Sequence, residues 1–245
     1  MNIDTLVRNN VKNMSSYSSA RDDYSGGANK NLIYLDANES PFENGINRYP
    51  DNKHKNLKTV ISKNKNINVN QVVFGNGTDE ILDLIVRVFC NPNKDKIITL
   101  PPTYGMYDVI AKTNGVENIE IPLKSDFSID TEKILSLKTS NIKILFLCSP
   151  NNPTGNSFDT NELTDLIKGF NGIVVVDEAY IDFSSKQSLI SLINDNNNLI
   201  ITQTMSKAYG MAGIRLGMGF SNQKIINYLN KIKPPYNINV LTERK

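Results

Sequence analysis

Lys207 lies in the segment TMSKAYGMAGIRLG, residues 204–217. A lysine in isolation is usually a surface residue, but this one has informative neighbours. Thr204 and Ser206 offer hydroxyls, and Arg215 offers a planar fork that suits phosphate. Glycines at 210, 213 and 217 let the backbone approach a ligand closely. A second segment, VVVDEAY (174–180), puts Asp177 at the end of an apolar run, three residues before Tyr180. A carboxylate there needs a cationic or N–H partner to offset its desolvation, unless the strand end is simply solvated. In SPNNPTG (149–155) the prolines fix a loop and leave Asn152 able to present its amide as a donor. GNGTDE (75–80) joins a strand to a helix N-terminus, where unpaired amides and the helix dipole suit a phosphate. A plain turn capped by Thr78 reads equally well. A ligand that used all of these groups would carry a phosphate, an aromatic ring with a protonatable nitrogen, and an aldehyde. Pyridoxal phosphate is such a molecule: a lysine takes its aldehyde as a Schiff base, and a carboxylate keeps its ring nitrogen protonated so that the ring accepts electrons.

The elements that position these residues alternate. From residue 70, QVVFGNG leads into TDEILDLIVRVFC, whose Ile81, Leu82, Ile85, Val88 and Phe89 share one helical face. KIITLPP reads as a short buried strand, followed by a helix over Tyr104–Lys112 and a partly exposed strand in VENIEIP. IKILFLCS, GIVVVDE and NLIITQT lack polar alternation, as strands covered on both faces do. Between them, TNELTDLIKGF predicts a helix capped by Thr160, with Leu163, Leu166 and Ile167 on its apolar side. RLGMGF predicts a last short strand and QKIINYLNKI a last full helix. The pattern predicts a three-layer α/β/α domain with a mostly parallel central sheet, and ligands in such sheets sit beyond the carboxyl ends of the strands.

Composition excludes several classes. The 245 residues are 39% hydrophobic and 21% charged, and 27 basic against 25 acidic side chains leave a formal charge of +2. That balance gives no electrostatic case for nucleic acid or an anionic membrane surface. No run approaches the roughly 18 apolar residues of a membrane helix, and the first residues lack the apolar core of a signal peptide. Cys90 and Cys148 each sit inside an apolar run, which excludes a disulfide scaffold, and the single histidine, His54, cannot build a histidine metal cluster. The expectation is a soluble cytoplasmic protein without a metal site.

The ordered set GNGTDE, PPTYGMY, SPNNPTG, VVVDEAYIDF and TMSKAYGMAGIRLG resembles the fold-type I aminotransferases. Within them, LDANESPF with RYPD, CNPNKDKIITLPPTYGMYDV and the opening LVRNNVKNMSSYSSARDD resemble the histidinol-phosphate aminotransferases. The resemblance covers essentially the whole chain. It implies transamination of L-histidinol phosphate with 2-oxoglutarate on pyridoxal 5'-phosphate, giving imidazole acetol phosphate and glutamate, in a cytoplasmic homodimer. It implies that Lys207 holds the cofactor and moves the proton at the substrate Cα, and that Asp177 pairs with the ring nitrogen. Tyr180 and Asn152 would bond the ring hydroxyl oxygen, with Asn152 also near the substrate, and Tyr104 would stack on the ring. Backbone amides at Gly77 and at Thr78 or Asp79, with Thr204, Ser206 and Arg215, would hold the phosphate. Tyr49 would reach that phosphate from the second subunit, and Tyr17 would sit over the substrate.

The expected organisation is an N-terminal arm over 1–45, with its Gly26–Gly27 pair and apolar Leu32–Leu35, and a cofactor-binding large domain over 46–232. A segment at 233–245, opened by Pro234–Pro235, would lead toward a C-terminal small domain that the family has and this chain lacks. Competing expectations are an inactive cofactor-binding fragment, an aromatic aminotransferase and a threonine-phosphate decarboxylase. A doubly wound nucleotide-binding protein fits poorly, since no GxGxxG or GxxxxGK[ST] sequence is present.

Overall fold

In the computed structural model, residues 1–19, 33–137, 139 and 141–245 are described. The Gly26–Gly27 pair and Leu32 lie outside them. Among the described residues, seven strands follow the apolar runs: β1 (Val72–Asn76), β2 (Lys96–Thr99), β3 (Glu117–Glu120), β4 (Ile142–Cys148), β5 (Ile173–Asp177), β6 (Leu199–Thr204) and β7 (Leu216–Ser221). They form one sheet in the order β1-β7-β6-β5-β4-β2-β3. β7 runs antiparallel to both of its neighbours, and the remaining pairings are parallel. β4, β5 and β6 are almost wholly buried because helices cover both faces, which is why their sequences lack polar alternation.

Among the described residues the α-helices are α1 (Asn9–Asn13), α2 (Lys55–Lys65), α3 (Thr78–Phe89), α4 (Met106–Thr113), α5 (Thr131–Ser136), α6 (Thr160–Gly169), α7 (Gln223–Ile232) and α8 (Val240–Glu243). Alternate strand residues divide the core in two. Val73, Ile97, Ile144, Phe146, Val175 and Ile200 face a layer with α3, α4 and α7. Phe74, Ile98, Leu145, Leu147, Val174, Val176 and Ile201 face Leu163, Leu166 and Ile167 of α6. Leu84 and Val86 join the expected apolar face of α3, so this helix is buried nearly all round. It has neighbours on every side: β1 and β7, α4 and α7, and the N-terminal residues Ile3, Val7 and Val11.

Two boundaries differ from the sequence reading. Asp159 rather than Thr160 caps α6, its carboxylate accepting from the Asn161 and Glu162 amides. Aspartate one residue upstream reaches those amides while Thr160 takes helical geometry. Tyr104 lies outside α4, which starts at Met106. The bend at Pro101–Thr103, shortly after β2, leaves Tyr104 in the connecting turn, close to the strand ends.

The C-terminal segment is bound to the body. Asn237 donates from Nδ2 to Phe74 O (2.9 Å) and to Glu80 Oε2 (2.9 Å), and its Oδ1 lies 3.2 Å from His54 Nε2. The other imidazole nitrogen, Nδ1, contacts the Glu243 carboxylate, and Thr242 Oγ1 donates to Ile214 O (2.7 Å). His54, given no role by the sequence, is a buried joint between α2 and α8.

Candidate active site

Sheet register builds the floor of the site. Cys148, Asp177 and Thr202 are paired neighbours on β4, β5 and β6, so their side chains stand in one row at the carboxyl ends of those strands. Asp177 is 2% exposed. Its Oδ1 accepts from Thr202 Oγ1 (3.0 Å) and from the Ala179 amide (3.2 Å), and its Oδ2 accepts from the Tyr107 hydroxyl (2.8 Å). All three donors are neutral, and burial pushes the carboxyl above the ordinary aspartate range. Sequence reasoning missed Tyr107 and Thr202. The only signal for Tyr107 was its place one helical turn after Tyr104, and register is what delivers Thr202.

A cavity of about 150 Å³ opens above this row, lined by Gly77, Thr78, Asp79, Tyr104, Cys148, Asp177, Ala179, Tyr180, Thr204, Ser206, Lys207 and Arg215. Ten of the predicted site residues therefore meet in one place. The Lys207 Nζ lies 5.5 Å from the centre of the Tyr180 ring. Among the described residues, neither Lys207 nor Arg215 forms an ion pair. Tyr104 donates to Asp79 Oδ1 (3.2 Å) and sets its ring at 86° to Tyr107, with 5.5 Å between centroids. Burial and then the Asp79 charge push its phenol up to about 12.

The phosphate cup is made by close backbone approach. Gly77 occupies the cap position of α3 at φ +79°, and no side chain caps the helix, so the reading of Thr78 as a simple cap is not what forms. A Cβ on Gly77 would lie 2.4 Å from Arg215 Nη2, and one on Gly217 would lie 2.3 Å from Gly77 C and 2.4 Å from Thr78 N. At Gly217 the close atoms are backbone and only hydrogen fits, whereas at Gly77 the positive φ is what favours glycine. One expectation needs correction: the Gly77 amide donates to Arg215 O (2.7 Å), so it helps build the cup but is not left over for a ligand. Thr78 and Asp79 remain as the amides at the mouth of the helix. The Thr204 hydroxyl is also engaged, accepting from the Ser206 amide (3.1 Å) and donating to Leu216 O (3.4 Å).

Three predicted residues lie elsewhere. Asn152 lines an adjoining cavity with Pro150, Phe183 and Ser184, and that cavity shares Tyr180 with the first. Tyr49 is half exposed and stacks on Tyr236, 4.5 Å between centroids. Tyr17, 62% exposed, lines a separate pocket with Lys58 and Lys233. Within this one chain, neither tyrosine reaches the Lys207 cavity.

The residues fit a phosphorylated aldehyde with a basic ring. A buried carboxylate held only by neutral donors lacks a cation, an amine and a guanidinium lack anions, and an uncapped helix points into the same space. Comparison with known proteins agrees. A family model described as "Aminotransferase class I and II" matches residues 23–244. The chain belongs to that family. It is 55% identical over 243 residues to a histidinol-phosphate aminotransferase of Flavobacterium johnsoniae, covering 99% of this chain and 70% of that protein. Among solved structures, a histidinol-phosphate aminotransferase from Clostridium acetobutylicum superposes with a TM-score of 0.72 at 28% identity, over 81% of this chain and 59% of that one. One from Sinorhizobium meliloti, in complex with pyridoxal-5'-phosphate, gives a TM-score of 0.74 at 23% identity, over 80% of this chain and 54% of that one, a likeness of fold. In this class I and II aminotransferase, the cavity lies where open α/β sheets place their ligands.

Proposed function

We propose that this chain carries the cofactor site of a pyridoxal-phosphate-dependent aminotransferase that converts L-histidinol phosphate and 2-oxoglutarate to imidazole acetol phosphate and glutamate, in histidine biosynthesis. The observation that carries the chemistry is the uncompensated Asp177 carboxylate in the same cavity as Lys207 and Arg215. The substrate assignment rests on relatives of that name at 55% and 56% identity over 99% of the chain. Bound there, pyridoxal phosphate supplies an aldehyde that captures amines and a ring that takes up the electron pair released at Cα.

The chain's own residues do the rest. Lys207 holds the aldehyde end through Nζ, then takes and returns the proton at the substrate Cα. Asp177 pairs with the ring nitrogen and keeps it protonated. Tyr180 and Asn152 donate to the ring hydroxyl oxygen, and Tyr104 covers the ring face. The Thr78 and Asp79 amides, with Thr204, Ser206 and the Arg215 fork, hold the phosphate. Residues 1–45 serve as an arm, 46–232 as the cofactor-binding body, and 233–245 as the segment leaving it. The reading extends to a cytoplasmic homodimer in which the half-exposed Tyr49 of one copy reaches the phosphate of the other, and Tyr17 closes over the substrate.

The test is spectroscopic and chemical. Purified protein with pyridoxal phosphate should give a pH-dependent visible band that Lys207→Ala abolishes. L-histidinol phosphate should then bleach that band and release a keto product detectable by mass spectrometry. Bleaching by phenylalanine or threonine phosphate but not by L-histidinol phosphate would overturn the substrate assignment.

A further inference from the structure

We propose that Tyr107 is a positioning residue for the cofactor ring: its hydroxyl holds Asp177 Oδ2 as the atom presented to the ring nitrogen, and its ring braces Tyr104. This rests on the reading of the site given above.

The argument starts from lone pairs. An ionised carboxylate has about four acceptor positions, two on each oxygen. Thr202 and the Ala179 amide fill both on Oδ1. Among the described residues Oδ2 receives Tyr107 alone, at 2.8 Å, so it is the oxygen with a position left over, on a residue that lines the cavity. Tyr107 therefore fixes the one atom free to meet a cation. The phenol itself is held rigidly. It is fully buried, and its ring stacks on Phe146 of β4 at 7° with 4.8 Å between centroids. The edge contact with Tyr104 ties the same ring to the residue that would lie on the cofactor face. One side chain thus sets two contacts made by others. Burial and then the Asp177 charge hold the phenol well above its ordinary pKa, which keeps it a donor to the carboxylate at any working pH.

Tyr107→Phe removes only the hydroxyl and leaves the ring to pack, and far-UV circular dichroism checks that it folds. Pyridoxal phosphate affinity, read by absorbance titration, should weaken on the order of 10-fold, the scale of a lost hydrogen bond to a charged group. With ¹⁵N-labelled cofactor, the ring-nitrogen resonance should move toward the unprotonated position. In an Asp177→Asn background the same change should alter affinity by less than about twofold, because Tyr107 acts through Asp177. An unchanged affinity and nitrogen shift in Tyr107→Phe would overturn the proposal. An equal loss in both backgrounds would also overturn it and assign Tyr107 to packing alone. In the unmodified protein, the buried Tyr107 hydroxyl proton should give a downfield resonance that moves when pyridoxal phosphate is added, and indifference to the cofactor would refute the link. A wild-type protein with no Lys207-dependent band would instead bring down the functional reading on which this one rests.

Discussion

Gly217→Ala should damage both the fold and the phosphate cup, and the structure says by how much. Gly217 on β7 pairs with Gly75 of β1 on one side and Thr204 of β6 on the other. An added Cβ would meet Gly77 C at 2.3 Å, Thr78 N at 2.4 Å and Gly77 O at 2.5 Å. These are backbone atoms, so no side-chain rotation relieves them, and ordinary carbon contacts lie near ~3.5–4 Å. The β1–α3 turn must therefore move by about 1 Å or more against the Gly77–Arg215 hydrogen bond. Overpacking of this kind costs about 2–3 kcal/mol. The smaller entropy of the unfolded alanine chain offsets about 0.5 kcal/mol of that. A net loss of about 2 kcal/mol at a urea slope of about 2 kcal/mol/M lowers the unfolding midpoint by about 1 M. The internal control is Gly213→Ala, where nothing lies within 4 Å of the new methyl. That variant should stay within about 0.5 kcal/mol of wild type. Urea melts followed by circular dichroism measure the difference, and cofactor titration should show Gly217→Ala weaker by at least about 10-fold. If the two variants melt together and bind alike, the close approach of β7 to the helix mouth is not what shapes the cup.

Further outcomes follow from the buried groups. Burial raises the Asp177 carboxyl in the folded state above 3.8, so the folded protein keeps that proton to higher pH than the unfolded chain does. Its contribution is full below the unfolded value and is lost as pH climbs through the folded one. Asp177→Asn should therefore gain stability relative to wild type between pH 4 and pH 8 without cofactor, and a pH-independent difference in urea midpoints would refute this. Glu178→Ala strips the shared acceptor of the Ser188 hydroxyl (2.5 Å), the Leu189 amide (2.7 Å) and Gln203 Nε2 (2.8 Å). It should lower stability by about 3 kcal/mol in calorimetry or urea melts. Burial pushes the Cys148 thiol up to about 12 and raises Cys90 further, so a thiol reagent at pH 8 should label neither until the protein is unfolded. Rapid labelling of the native protein would contradict that.

Much of the site was legible because its residues travel in short segments. Lys207 and Arg215 share one loop, Asp177 and Tyr180 share another, and each follows an unbroken apolar strand that periodicity finds without a fold. What stayed hidden depends on distances that no local pattern carries. Thr202 meets Asp177 through strand register, and Tyr107 meets it through the packing of α4 over β4, 70 residues away in sequence. The Gly77 amide looked available because its partner, Arg215 O, is distant in the sequence and meets it only in the fold. The role of His54 required the path of residues 237–243, which sequence reading left as a stub. Tyr17 and Tyr49 owe their expected places to resemblance, and within this chain they lie outside the Lys207 cavity.

The position of β1 has a consequence for how the molecule is born. β1 sits at the edge of the sheet, and among the described residues its sole strand partner is β7. Every residue from Gly77 to Arg215 leaves the ribosome between the two, a wait of about 7–30 s at ordinary elongation rates. Through that interval the later parallel strands can assemble one after another, while Val72–Asn76 has no strand to receive it. The cup at Gly77 and Gly217 therefore closes only when β7 arrives, by the same event that completes the sheet. A nascent chain that binds pyridoxal phosphate through this cup has already completed its sheet, while Ile225, Ile226 and Leu229 of α7 still have to pack beneath it.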